Sequence, residues 1–195
     1  NIAYLTAFLR SSGFPVKAFD FNAEVFNAVQ PEVRRFWRSD FHDFWQDERR
    51  WYDELKPVLG SDVFDRMVTS IVEQRPDVVG FTMNYSPFLI ADLAEAVKAA
   101  IPGVVTVAGG NYCEPFIFGG LLLHREAFDL VVLGEGEVTL LEILVRRATG
   151  RPMEDIEGTF VRVDGHYIEN PRRTRITAVD ELPFPDFSDF DLSLY

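Results

Sequence analysis

The sequence holds one cysteine, Cys113, in 195 residues. A single thiol excludes an internal disulfide, a zinc site built on paired CxxC motifs and a self-contained set of iron–sulfur ligands, and it fits a reducing cytoplasm. Histidine is also scarce. His42, His124 and His166 stand far apart, as surface or packing residues do. No apolar run reaches the roughly 20 residues that span a bilayer, and no basic-then-apolar leader opens the chain. Positive charge is short as well: 19 Lys and Arg stand against 31 Asp and Glu, for a net charge of −12. Nucleic acid and anionic membranes both attract dense Lys and Arg, so neither is an expected partner. The basic runs Arg34-Arg35 with Arg38, Arg146-Arg147, and Arg172-Arg173 with Arg175 read as solvated faces or helix ends. No G-x-S-x-G elbow is present either, which removes the Ser-His-Asp hydrolases.

What is present is an alternation. Residues 77–82 (DVVGFT), 103–108 (GVVTVA) and 128–133 are short β-branched runs with the length of strands buried on both faces. Helical spacing separates them. Ser86 and Pro87 suit the start of a helix whose Leu89, Ile90, Leu93, Val97 and Ile101 face the sheet, and a second helix runs from Val138 to near Gly150. Before these, Ile2, Leu5, Phe8 and Leu9 form a helical stripe ending at Gly13, and Phe14–Phe21 reads as a strand near a sheet edge. The expected fold is α/β, a doubly wound parallel sheet of flavodoxin-like or Rossmann-like type. In that pattern a first strand precedes the first helix and lies mid-sheet, so the expectation is that it stands upstream, and that without it strand edges remain open.

Residues 23–62 interrupt the alternation and carry all three tryptophans. Trp37, Phe41, Phe44, Trp45, Trp51, Tyr52 and Leu55 lie near helical spacing, which predicts a helical insertion packed over the sheet, as core or as a lid. Residues 158–170 alternate around Asp164-Gly165, the signature of a tight hairpin, and read as a small β appendage. Residues 181–195, ELPFPDFSDFDLSLY, read as an extended connector. The expected division is therefore a main domain over 1–154, a hairpin over 155–180 and a linker over 181–195.

In an open α/β sheet, ligands bind in the crevice outside the carboxyl ends of the strands. Three turns belong there: Thr82, Met83, Asn84, Tyr85 and Ser86; Gly109, Gly110, Asn111 and Tyr112 leading into Cys113-Glu114-Pro115; and Gly134, Glu135, Gly136 and Glu137. Glycine lets a ligand approach the backbone closely. The last turn is no dinucleotide site: Thr139 replaces the third glycine of the fingerprint, and two glutamates repel a pyrophosphate. Those carboxylates suit a ligand rich in N–H or O–H donors. A phosphoacceptor receiver is excluded too, since the Asp and Lys it requires are replaced by Thr82-Met83-Asn84 and Gly134-Glu135.

Three segments together, PDVVGFTMNYSPFLIADLAEAVKAAIPGVVTVAGGNY, FDLVVLGEGEVTLLEIL, and IEGTFVRVDGHYIENPRR with DELPFPDF, resemble the N-terminal cobalamin-binding domain of cobalamin-dependent radical S-adenosylmethionine enzymes. The likeness covers nearly everything outside 23–62. It implies a Rossmann-like domain that holds cobalamin at the thirteen turn residues named above. It also implies a connector to a radical domain of the same full-length chain, which binds S-adenosylmethionine and a 4Fe–4S cluster, and an activity of methyl transfer. Corrin side chains end in primary amides, which Glu135 or Glu137 would accept from, and the nucleotide phosphate would meet the backbone amides around Gly109 and Gly110. Asp40-Phe41-His42 imitates the start of the mutase-type Asp-x-His-x-x-Gly motif, but Trp45 occupies its glycine position, so no histidine is expected beneath the cobalt. Asn111 stands where family members often carry His. The cluster cysteines lie outside this chain. A second reading keeps the fold as a non-catalytic module in which cobalamin has been lost and the turns bind substrate or a partner domain.

Overall fold

The computed structural model describes residues 2–113 and 125–195. Glu114, Pro115 and His124 lie outside the described residues.

Three parallel strands form the centre: β1 (Val78–Thr82), β2 (Val105–Gly109) and β3 (Leu130–Val132). Their sequences, VVGFT, VTVAG and LVV, are rich in β-branched residues, and β3 and all of β2 but its last residue are buried, as a strand covered on both faces requires. Helix α1 (Ile2–Ser11) and helix α2 (Phe21–Ala28) precede them. The insertion then runs through short helical turns, α3 (His42–Gln46), α4 (Glu48–Arg50), a π-helical turn Trp51–Leu55 and α5 (Lys56–Leu59), into the longer α6 (Ser61–Val72). Helix α7 (Pro87–Ala100) links β1 to β2, and α8 (Glu137–Thr149) follows β3. The α/β, Rossmann-like class expected from the sequence is the one observed.

The hairpin is not separate from the sheet. Strand β4 (Thr159–Val163) pairs antiparallel with β3, and β5 (His166–Glu169) pairs with β4, so the sheet is mixed with order β1-β2-β3-β4-β5. The reason lies in the first half of β4: Thr159, Phe160 and Val161 are buried, and an apolar strand is best placed against the open edge of β3. Asp164 at φ 48° and Gly165 at φ 80° make the tight reversal.

The expected strand over 14–21 does not form. Residues 14–20 carry no regular element, and β1 pairs on one side alone among the described residues. One side of the segment is occupied by side chains: the Arg10 guanidinium donates to the Val16 carbonyl at 2.7 Å and Asp189 accepts the Ala18 N–H at 2.7 Å.

The insertion contributes to the main core. Val25, Phe36, Trp45, Trp51, Leu55 and Leu59 join one apolar cluster with β1 and α7. Trp45 Nε1 donates to the Phe36 carbonyl at 2.7 Å, so the large ring is buried without an orphaned polar atom.

Two polar segments pack against the domain. Arg146 and Arg147 stand in the last turn of α8, one of the two places expected for them, but Arg146 is buried there, paired with Glu142 at 2.6 Å and with Asp155, while Arg173 pairs with Glu142, so Arg146 and Arg173 pin α8 to its flanking loops. Residues 181–195 also pack back on the domain. Asp186 N–H donates to the Ala3 carbonyl at 3.0 Å, Arg10 pairs with Asp186 and Asp189, and Tyr195 meets Asp20. The spaced aspartates of the tail find their counter-charges in Arg10 and Lys17. Phe184, Phe187, Leu192 and Tyr195 remain exposed.

Candidate functional site

The carboxyl ends of β1, β2 and β3 lie side by side, so the three turns that follow them share one rim. Met83 N–H donates to the Gly109 carbonyl at 2.7 Å, joining the first turn to the second. Gly110 sits at φ 110°, and a Cβ there would lie 2.8 Å from the Met83 carbonyl oxygen, so only glycine allows the two turns to approach this closely. Gly136 meets Leu5 of α1, where a Cβ would lie 3.3 Å from Leu5 Cδ2.

The rim opens on a cavity of about 1970 Å³. Of the thirteen residues expected at the site, Thr82, Asn84, Tyr85 and Ser86 line it from the first turn, Gly109, Gly110 and Asn111 from the second, and Gly134 and Gly136 from the third. Asn84 and Asn111 are exposed, and Ser86 holds the cap position of α7 without using its hydroxyl to cap it.

Four expected residues stand elsewhere. The Met83 side chain is fully buried beneath the rim, so it serves as support and not as a contact. Tyr112 packs in an aromatic group with Tyr85, ring centroids 6.0 Å apart. Neither glutamate is part of the cavity wall. Glu135 accepts the Ile176 N–H at 2.7 Å, because the segment carrying Arg173 crosses the start of α8. Glu137 heads α8, where its charge suits the helix dipole.

The insertion supplies a wall that spacing alone did not assign. Trp37, Arg38, Ser39 and His42 line the cavity together with the rim turns. His42 stacks edge-on against Tyr85 at 4.5 Å, and its Nε2 lies 3.2 Å from Gln46 Nε2. The signal was the aromatic density of 23–62, which does not say which rings face the sheet's end.

Beneath this wall lies a polar centre that sequence reasoning missed. Asp92, with 6% of its side chain exposed, accepts from Trp51 Nε1 at 3.2 Å, Tyr52 Oη at 2.9 Å, Lys56 Nζ at 2.7 Å and Arg125 Nη2 at 2.7 Å. Burial pushes its carboxyl up, but the hydrogen bonds from Lys56, Arg125, Tyr52 and Trp51 outweigh that and hold it below the usual carboxylate value. Tyr52 is raised by burial and by Asp92. An aspartate on an otherwise apolar helix face, LIADLAEAV, was the available clue. Among the described residues no group of three His, Cys, Asp or Glu is placed to hold a metal, and no helix is long and apolar enough to cross a membrane.

No family model matches the chain. It is 31% identical over 144 residues to an uncharacterized methyltransferase of Pyrococcus horikoshii, covering 70% of this chain and 30% of that protein. It is 30% identical over 146 residues to the cobalamin-dependent radical SAM methyltransferase TokK of Streptomyces tokunonensis, covering 72% of this chain and 21% of TokK. The chain belongs to the cobalamin-dependent radical SAM enzyme family.

A further relative is the anaerobic magnesium-protoporphyrin IX monomethyl ester cyclase of Rubrivivax gelatinosus, 27% identical over 148 residues, with 73% of this chain and 26% of the cyclase covered. The chain thus spans between a fifth and a third of the length of these curated relatives. Among solved structures, the radical S-adenosylmethionine methyltransferase TsrM from Kitasatospora setae, with cobalamin and a [4Fe–4S] cluster bound, superposes on 94% of this chain and 27% of its own with a TM-score of 0.51 and 17% identity. At that identity the likeness is one of fold.

Proposed function

We propose that this chain is the cobalamin-binding module of a radical SAM methyltransferase, holding the corrin at the carboxyl ends of β1, β2 and β3. One observation carries the reading: three turns bearing glycine, amide and hydroxyl groups gather on one rim, over a cavity whose volume exceeds the ~300–1,000 Å³ usual for small-ligand sites. The residues fit the group. Corrin carries a fringe of primary amides, both donors and acceptors, and Asn84, Ser86 and Asn111 present matching groups. Gly109 and Gly110 give bare backbone to a phosphate. With Glu135 bound to Ile176, polar recognition falls to these residues and not to the glutamates. When bound, cobalamin would supply a transferable methyl group; this chain's rim residues would orient it, and Trp37, Arg38 and His42 of the insertion, which line the same cavity, would limit its contact with water.

The radical chemistry belongs to another domain, since one buried cysteine cannot ligate a 4Fe–4S cluster. We assign residues 1–154 to the cofactor unit, 155–180 to the closing edge of its sheet and 181–195 to the path toward a domain that binds S-adenosylmethionine. The exposed Phe184, Phe187 and Leu192 suit contact with that domain.

The test is visible absorption. After the natural protein is mixed with hydroxocobalamin and freed of excess by gel filtration, corrin absorbance is expected to co-elute with it, and Asn84→Ala to weaken binding about tenfold, the worth of roughly one hydrogen bond. A colourless protein peak would refute the cofactor and favour a module that has lost cobalamin.

A further inference from the structure

Among the described residues, none from 181–195 lines the cavity, yet the tail grips the elements that do. Its hold centres on Arg10 and Asp189. Arg10 is bonded by Asp186 at 2.5 Å, Ser188 at 2.9 Å and Asp189 at 2.7 Å. Asp189, with 11% of its side chain exposed, also accepts from Lys17 at 3.0 Å. Charge-assisted bonds this well covered hold more firmly than an ion pair standing in water.

From this centre the contacts fall on every second residue of the cavity-lining segment 14–20. The Val16 carbonyl accepts from Arg10 Nη2 at 2.7 Å, the Ala18 N–H donates to Asp189 at 2.7 Å, and Asp20 accepts from the Tyr195 hydroxyl. That is the alternation of extended chain, with one side given to the tail and its clamp. Asp20 passes the hold onward. Its other oxygen caps α2 by accepting the Ala23 N–H at 3.1 Å. Helix α2 then carries Asn22, whose side chain accepts from Trp37 Nε1 at 2.8 Å, and Trp37 stands in the cavity wall against Trp45, ring centroids 5.1 Å apart. A second route runs through Asn27 of the same helix. Its amide donates to the Leu194 carbonyl at 3.2 Å, and its backbone carbonyl accepts from Arg34 of the insertion at 3.2 Å.

We propose that residues 181–195 are a strap whose docking fixes the insertion's side of the cavity, so that ligand binding and strap docking strengthen each other. Arg10 and Asp189 are its positioning residues, since neither lines the cavity. A wall set in place only while the strap is docked gives a ligand different affinities for the docked and released states. Linkage then makes the effect mutual: whatever fills the cavity tightens the strap by the factor with which the strap tightens the ligand. The choice of corrin as that ligand rests on the proposed function; the hold on Trp37 does not.

Hydrogen exchange on the natural protein reads the coupling in both directions. Asp189→Ala is expected to speed exchange at Ala18, its direct partner, and also by at least about tenfold at the Ala23 amide and the Trp37 indole N–H, which Asp189 does not touch. Faster exchange at Ala18 alone overturns the proposal. In the other direction, hydroxocobalamin is expected to slow the Asp186 amide, bonded to the Ala3 carbonyl at 3.0 Å, and the Phe190 amide, bonded to the Phe187 carbonyl at 3.0 Å, by about tenfold. Unchanged exchange there in a protein that has bound corrin overturns it too. Should Asp189→Ala fail to fold, Tyr195→Phe decides, because it removes one hydroxyl from an exposed ring. It is expected to speed Ala23 and the Trp37 indole a few-fold, and parent-like rates at both overturn the strap. A protein that binds no corrin refutes the proposed function, while the Ala23 and Trp37 rates still decide the strap.

Discussion

Replacing Asp92 with alanine is expected to lower the unfolding free energy by about 3–5 kcal/mol, the range for removing one partner of a buried ion cluster. Four donors converge on this carboxylate, from Trp51, Tyr52, Lys56 and Arg125, and three of the four belong to the insertion. Alanine strands Arg125, still paired with Glu95 at 2.6 Å, and leaves the indole of the buried Trp51 without its acceptor. Among the described residues, the insertion is then held on α7 by apolar contact. The pH dependence has a definite sign. Because the folded carboxyl lies below its unfolded value of about 3.9, its contribution is complete above that value and is lost as pH falls through the folded one. Urea titrations between pH 3 and 7 check both points: the parent loses stability toward the acid end, and Asp92→Asn flattens that limb. A change under about 0.5 kcal/mol in Asp92→Ala would mean that the cluster only decorates the packing.

The strands were readable because a buried parallel strand leaves a continuous β-branched run, as in VVTVA, and helices leave a period, as in α7. The hairpin turn was equally plain in Asp164-Gly165, but its docking against β3 was not, since which open edge a strand joins depends on tertiary burial of Phe160 and Val161. Residues 14–20 show the limit from the other side. Their pattern is that of a strand, yet a strand exists only beside a partner, and the described residues offer none. At the rim, chain order alone placed Asn84, Gly110 and Gly134 together, because successive parallel strands all end at one edge. The roles of Glu135 and Glu137 were not readable. Sequence showed two carboxylates on a turn, and only packing reveals that Ile176 crosses it and takes one of them. The wall from the insertion was half visible: aromatic content announced a covering element, while the choice of Trp37 and His42 as the cavity-facing members depends on the short helical turns that break its period.

Gly110→Ala is expected to destabilise the protein by about 3 kcal/mol or more and to abolish corrin binding, whereas Gly134→Ala at the neighbouring turn costs about 1 kcal/mol. Both glycines have positive φ, 110° and 79°, so both substitutions carry backbone strain. They differ in space. At Gly134 a new methyl meets nothing within 4 Å, and strain is the whole effect. At Gly110 it falls 2.8 Å from the Met83 carbonyl oxygen and 3.2 Å from Met83 N, both backbone atoms of a residue whose side chain is fully buried. Met83 cannot yield without pulling its side chain out of the core, so the second turn moves instead, breaking the 2.7 Å bond from Met83 N–H to the Gly109 carbonyl. That bond sets the first turn against the second, and with it the spacing of Asn84 and Asn111. Thermal unfolding and hydroxocobalamin titration of the two variants side by side test this. If Gly110→Ala binds corrin as the parent does while losing stability, the two turns serve the fold and the ligand sits elsewhere. If Gly134→Ala proves the more damaging, the close approach of the first two turns is not what shapes the rim.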